Sequence, residues 1–166
     1  MNGLVVRRLD PADAEAFRAI RLEALERHPE NFCVDIEQER AALPEAWHER
    51  LGASHCFGGY VGEKMAGIAG LSRPCTMKLA HIAEFGGMYV RPDYRGSGLA
   101  DRIVEAAIAA AHEARSRAVK LHVNAENITA IRLYARHGFV ECGRLPGAVH
   151  VGDRYYDEVT MVRALA

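Results

Sequence analysis

Met88-Tyr89-Val90-Arg91-Pro92-Asp93-Tyr94-Arg95-Gly96-Ser97-Gly98-Leu99-Ala100 reads as a strand, a turn and a glycine-spaced loop that opens directly onto a helix. Such a junction is an anion site. Backbone N–H groups converge at a helix N-terminus, the macrodipole adds positive potential, and glycines let a phosphate approach the main chain with no Cβ in the way. Arg95 adds a permanent charge at the mouth. The spacing argues against two nucleotide loops. A dinucleotide fingerprint needs a third glycine where this chain has Asp101, whose carboxylate would repel a pyrophosphate. A P-loop needs Gly-Lys followed by Ser or Thr, and the loop has no lysine.

Outward from the loop, the pattern is that of one mixed α/β domain spanning residues 1–166. With 166 residues and 49% hydrophobic content, the chain can bury a substantial core and is short for two domains. Leu4 to Arg8 reads as a strand. Asp10-Pro11-Ala12-Asp13 looks like a cap, a proline in the first turn and an acidic start to a helix, whose stripe is Phe17, Ile20 and Ala24 with Leu22 and Leu25. Glu37 to Leu51 is expected as a second, more polar helix carrying Trp47. His55 to Val61 and Lys64 to Leu71 flank Gly62-Glu63 and form a hairpin, and Leu79 to Val90 is a long strand interrupted by Gly86-Gly87.

Beyond the loop, Ala100, Ile103, Val104, Ala107, Ile108 and Ala111 recur at helical spacing. Val119, Leu121 and Val123 alternate with Lys120, His122 and Asn124 as in a strand with one packed face. A helix from about Ile128 to His137 stops at Gly138. A strand from Phe139 then pairs antiparallel with Tyr155 to Arg163. The sum is a mixed sheet with helices on both faces.

Charge and composition narrow the partners. A net charge of −1, from Lys+Arg 21 against Asp+Glu 22, gives no general pull toward nucleic acid or anionic membrane. The N-terminus lacks a signal-like apolar stretch and no run approaches the ~18 apolar residues of a membrane span, which predicts a cytosolic (cytoplasmic) protein. Cys33, Cys56, Cys75 and Cys142 are scattered, and the histidines follow no metal-ligand spacing, so neither disulfide nor metal is expected.

Arg95-Gly96-Ser97-Gly98-Leu99-Ala100 closely resembles the acyl-CoA pyrophosphate loop of the GCN5-related N-acetyltransferase (GNAT) superfamily. A second segment, Leu121 to Phe139, is similar to that family's fifth strand and fourth helix, with Asn127, Leu133-Tyr134 and Gly138-Phe139 in register. The likeness extends to Leu22-Glu23-Ala24-Leu25 and Asp157-Glu158-Val159-Thr160-Met161, and so covers almost the whole chain. It implies a mostly antiparallel twisted sheet of about seven strands and about four helices, splayed between strands 4 and 5. It also implies acetyl-CoA as the cofactor and direct transfer of acetyl to a primary amine in a ternary complex.

The resemblance places the pantetheine amides on the main chain of Met88 and Val90, exposed if Gly86-Gly87 or the following residues bulge. The pyrophosphate falls on the N–H groups of Arg95, Gly96, Ser97, Gly98, Leu99 and Ala100, with Asn127 and Tyr134 toward the distal arm and sulfur. Tyr134 is expected as general acid: the departing thiol has a pKa of about 8.5, and a phenol of pKa about 10 can protonate it. The structural alternatives are a core tyrosine for Tyr134 and an N-cap for Asn127.

An attacking ammonium must first lose a proton. Glu84 is the leading base, with His81 and His122 as alternatives, and Met88 or Val90 N–H would serve the oxyanion. No cysteine is required as nucleophile. The acceptor, a small-molecule or peptide amine, is expected to sit among residues His28 to Glu49 and Pro146 to Tyr156, whose acids include Glu37, Glu39 and Glu45. A homodimer through edge strands or the Trp47 helix is compatible with the resemblance. Two other readings are open at this point: a non-catalytic acyl-CoA sensor, which keeps the loop and needs neither acid nor base, and a structural or interaction domain that shares the fold and binds no CoA.

Overall fold

The computed structural model describes residues 3–166. Strand β1 (Leu4–Arg8) leads through a single helical turn, capped by the Asp10 carboxylate and reciprocally by Asp13, into α1 (Ala14–Arg27). Two short helices follow, α2 (Ile36–Ala41) and α3 (Pro44–Ala53), then the hairpin β2 (His55–Val61) and β3 (Lys64–Ser72), and β4 (Ile82–Val90). The second half runs α4 (Leu99–Glu113), β5 (Ala118–Asn124), α5 (Ile128–Arg136), β6 (Val140–Val151) and β7 (Arg154–Ala164).

Two expectations need correction. The single helix over Glu37 to Leu51 is two, α2 and α3, so that the described residues hold five helices where the resemblance implied about four. Pro44 has no N–H to continue a helix and forces the residue before it out of the α region; Leu43 accordingly sits at ψ 155° and Pro44 starts a new helix. The strand expected from Leu79 begins instead at Ile82, because Leu79 to His81 lie in a turn closed by Ile82 N–H to the Leu79 carbonyl at 3.0 Å.

The seven strands form one mixed sheet in the order β1-β2-β3-β4-β5-β7-β6. All neighbours are antiparallel except β4 and β5, which are parallel. Each face carries its own core. On one, α4 and α5 bring Ile103, Val104, Ala107, Leu133 and Tyr134 onto Phe57, Phe85, Val119 and Leu121. On the other, α1 and α3 bury Phe17, Ile20, Ala24, Trp47 and Leu51 against Met65, Ile68 and Tyr89. Glycine lets α4 sit close: a Cβ at Gly59 would lie 2.9 Å from both Leu99 Cδ1 and Ile103 Cδ1. The start of α4, and the loop before it, are therefore seated directly on β2 and β3.

Strands β4 and β5 pair only from Ile82↔Ala118 to Phe85↔Leu121 and then part. The cause is a bulge. Gly70 pairs with Gly86 and Ile68 with Tyr89, so β4 carries one residue more than β3 across this interval. Gly87 absorbs it at φ +62°, in the left-handed region, and a Cβ there would lie 3.0 Å from Arg21 Nη1. Gly87→Ala is therefore expected to cost about 1–2 kcal/mol in urea unfolding. Gly86, with a φ outside the left-handed range and nothing within 4 Å of its Cβ position, should accept alanine within about 0.5 kcal/mol. Equal midpoints for the two variants would contradict this account of the bulge. Among the described residues no helix is long and apolar enough to cross a membrane.

Candidate active site

The parted strands open a cleft of about 680 Å³ whose wall runs from Phe85 to Val90 on β4, across Leu121 to Asn124 on β5, to Asn127 and Tyr134 at α5. The glycine loop closes one end, with Gly96, Gly98 and Ala100 lining it. Eight of the ten residues expected at the cofactor line this cleft, and the other two, Ser97 and Leu99, stand behind it. Leu99 is fully buried and anchors α4 in the core. Ser97 donates its hydroxyl to the Tyr94 carbonyl at 2.6 Å and receives a long bond from Leu99 N–H, which shapes the loop from behind.

The loop's backbone fits a phosphate. Gly96 and Gly98 have φ +73° and +87°, and no atom lies within 4 Å of either Cβ position. The first intrahelical bond of α4 runs from Arg102 N–H to the Gly98 carbonyl. Leu99 N–H meets the Ser97 hydroxyl, and the amides of Ala100 and Asp101 have no acceptor further back in the helix, the arrangement by which a helix N-terminus can take an anion. Asp101, which on spacing alone looked repulsive, is held by His137 Nε2 at 2.9 Å and Arg136 Nη2 at 3.0 Å. Burial works against its charge, but those two hydrogen bonds outweigh it and keep the carboxyl below the usual range. Its negative charge is thereby paired with the Arg136 guanidinium, and the His137 ring just past α5 completes the contact.

Arg95 does something different from what its place at the loop mouth implied. Its Nε donates to the Val90 carbonyl at 3.0 Å, and its guanidinium lies 5.8 Å from the Tyr89 ring and 3.4 Å from His28 Nε2. The arginine therefore caps the open edge of β4. The same bond shows that the Val90 carbonyl faces away from β3, and Met88, two residues back, presents the same edge. An extended chain carrying amides could pair there as an added strand does.

Tyr134 is buried in the floor of this cleft. Its ring meets Phe85 and Phe139 edge-on at centroid distances of 5.9 and 6.0 Å, and its hydroxyl points to Met88 Sδ at 3.8 Å. Burial pushes the phenol well above its ordinary value, so it stays protonated across the neutral range. Asn127 accepts from Ala130 N–H at 3.2 Å as N-cap of α5 while lining the cleft; the structural and the cleft-facing readings hold together.

A second cleft, of about 410 Å³, lies on the α1 side of the sheet and meets the first at the bulge: Asn31, Phe32, Phe85, Gly86, Gly87, His122 and Asn124 line both. Glu84 faces only the second, and its carboxylate is taken by Lys120 Nζ at 2.7 Å from the opposite position on β5. His81 is exposed and lines neither cleft. His122 stands at the junction with Nδ1 3.1 Å from Thr160 Oγ1 and 3.4 Å from Glu158 Oε1, which leaves Nε2 free. Of the acids expected for the acceptor, Glu37 pairs with Arg40 at 2.7 Å on the surface, Glu45 is exposed, and Glu39 is buried between Arg21 and Arg50.

Several lining residues had no sequence signal. Asn124 was expected on the polar face of β5, yet it is buried, donating to the Glu30 carbonyl at 3.0 Å and accepting from Glu126 N–H at 2.8 Å. These bonds tie the α1–α2 connection to the end of β5. Glu158 belongs to a strand that paired correctly, but only the observed register sets it beside Asn124 and so at the cleft.

Known proteins share this arrangement. The chain is 31% identical over 139 residues to a mycothiol acetyltransferase of Kineococcus radiotolerans, covering 82% of this chain and 43% of that protein. It thus spans less than half the length of the curated mycothiol acetyltransferases that it matches. Among solved structures, a GNAT-family acetyltransferase of Streptococcus pneumoniae superposes with a TM-score of 0.87 at 22% identity, over 99% of this chain and 100% of that one. A putative acetyltransferase of Salmonella typhimurium, solved with acetyl-CoA, gives 0.83 at 22% identity over 99% and 95%. Those likenesses speak for the fold; the family follows from the sequence, since the model of the acetyltransferase (GNAT) family matches residues 16–139. This chain belongs to that family, whose enzymes draw on acetyl-CoA.

Proposed function

We propose that this protein is an N-acetyltransferase that passes acetyl from acetyl-CoA directly to a primary amine while both are bound. The observation that carries the proposal is the meeting of two clefts at the bulge. One has the glycine loop, the open β4 edge and Tyr134, and the other reaches the same point from the opposite side of the sheet. Two molecules can therefore be held with their reactive ends together, which is the larger part of what a direct transfer requires.

Bound acetyl-CoA supplies an acetyl group activated as a thioester. The chain's own residues do the rest. Gly96, Gly98 and Ala100 take the pyrophosphate on main-chain N–H groups, and the Met88 and Val90 edge takes the amides of the arm. An N–H at that edge, of Met88 or Val90, is the donor for negative charge at the acetyl oxygen. Tyr134 keeps its proton until the leaving sulfur needs one.

For the base, we favour His122 over Glu84. His122 reaches both clefts, and Glu158 and Thr160 on its Nδ1 side orient the ring so that Nε2 faces outward with a lone pair. Glu84 is committed to Lys120. His122→Gln should lower kcat/KM by about 10²-fold, whereas Glu84→Gln should fall less than about threefold. The reverse order would return the role to Glu84.

The proposal itself is tested by free-thiol release from acetyl-CoA across an amine panel of amino acids, polyamines, amino sugars and peptides. Amine-dependent release together with acetylated product is the expected result. If acetyl-CoA binds but no amine of the panel is acetylated, the protein is a sensor and not a transferase.

A further inference from the structure

We infer that the acceptor is a zwitterion of amino-acid type, whose carboxylate is held by Arg21 in the second cleft. This rests on the transfer reaction proposed above and specifies the amine that it takes. The wall formed by α1 to α3 carries two guanidinium groups against one carboxylate. Glu39 is buried and accepts from Arg50 Nη1 at 2.9 Å, Arg50 Nη2 at 3.1 Å and Arg21 Nε at 3.1 Å. Burial opposes the charge on Glu39, but the Arg50 hydrogen bonds and the nearby Arg21 charge outweigh it and hold the carboxyl below the usual range. The triad therefore keeps one net positive charge, and geometry places it on Arg21.

Arg50 spends both Nη groups on Glu39. Arg21 spends only Nε, and among the described residues its two Nη groups donate to no protein acceptor. Nη1 lies 3.0 Å from where a Gly87 side chain would start, so the free edge of the guanidinium reaches the bulge at which the clefts meet. A guanidinium fixed at Nε, lining the cleft with terminal nitrogens that no acceptor among the described residues takes, suits the two oxygens of a carboxylate. The side chain is only 15% exposed, so an anion there is largely out of bulk solvent, where such a pair is strongest.

Acids line the cleft as well. Glu30 and Glu158 stand there beside Glu84, whose carboxylate is already paired with Lys120, and Glu158 takes a weak bond from the Cys33 thiol at 3.6 Å and neighbours His122. An amine bearing no anion would meet the acids but leave Arg21 unpaired. A dianionic ligand would meet Arg21 and be repelled by the acids. An ammonium and one carboxylate on the same small molecule satisfy both walls.

The test compares matched amines on the wild-type protein with acetyl-CoA: leucine against leucinamide, and 4-aminobutyrate against butylamine. Carboxylate-bearing acceptors should be preferred at least about tenfold in kcat/KM. In Arg21→Gln the preference should fall to within about threefold through KM for the acceptor. Arg21→Gln/Glu39→Gln, which removes the buried carboxylate with its partner, serves if the single variant folds poorly. A second readout needs no turnover. Trp47 is the only tryptophan and lies 4.5 Å beneath the Arg50 guanidinium, so its fluorescence reports on the triad. Leucine should change it saturably in wild type, with no such change for leucinamide or in Arg21→Gln. Equal use of both members of each pair, or no saturable response to any carboxylate, would overturn the subsite. A carboxylate-specific Trp47 response without acetylation of any amine would keep the subsite and overturn the transferase reading.

Discussion

Acetyl-CoA at 100 times its dissociation constant is expected to stabilise the wild-type protein by about 2.7 kcal/mol, and Gly98→Asp is expected to abolish that gain. For a chain of this size the gain corresponds to a rise of roughly 5–10 °C in melting temperature. The loss has a specific cause. Gly98 is the last residue before α4, and it lines the cleft with open space where a side chain would begin. A carboxylate there stands over the amides meant for the pyrophosphate, adding repulsion where the helix terminus adds attraction.

The φ of +87° confuses a simple reading, because any side chain at this position strains the backbone. Gly98→Asn separates the two effects. It carries nearly the same side chain and the same strain without the charge. Its ligand-free melting temperature should fall about as far as that of Gly98→Asp, and it should keep part of the acetyl-CoA shift. Identical shifts in wild type and Gly98→Asp would remove the loop from the cofactor site.

How much of this site was legible beforehand depends on whether its parts are local. The glycine loop, the α4 stripe and the Asn127 cap depend on residues within a turn or two of one another, and they stand where the spacing put them. The break at Pro44 was local too and was readable from proline's missing N–H; the apolar positions on either side of it masked the signal. What sequence could not show is pairing across distance. Asp101 changes from a repulsive charge to a compensated one only because α5 brings Arg136 and His137 against it from 35 residues away. Arg95 leaves the loop mouth because the end of β4 offers a carbonyl that no strand takes. Arg21 and Glu39 matter together, yet nothing in either segment names the other. Electrostatics is set by three-dimensional neighbours, which the order of residues along the chain does not name.

Tyr134→Phe is expected to lower kcat by about 10²–10³-fold while leaving KM for acetyl-CoA nearly unchanged. The pocket allows the two roles of this residue to be separated. As a core ring, Tyr134 fills space between Phe85 and Phe139, and phenylalanine preserves that packing. Among the described residues its hydroxyl has only the thioether of Met88 as a partner, a weak acceptor, so its removal should change stability by less than about 1 kcal/mol. A buried hydroxyl with so poor a partner contributes little to folding. It is, however, a proton held in a cleft whose far end is the glycine loop.

The sign of the burial effect fits the role. Because burial raises the phenol, the protonated form dominates throughout the working pH range, and the variant's deficit should be nearly constant from pH 6 to 9. Replacing acetyl-CoA by a thioester whose thiol is more acidic, such as an acetylated thiophenol, should shrink the deficit, because a better leaving group has less need of a proton. If Tyr134→Phe keeps full kcat, or its deficit ignores leaving-group acidity, the hydroxyl is a packing remnant and the departing sulfur takes its proton from water.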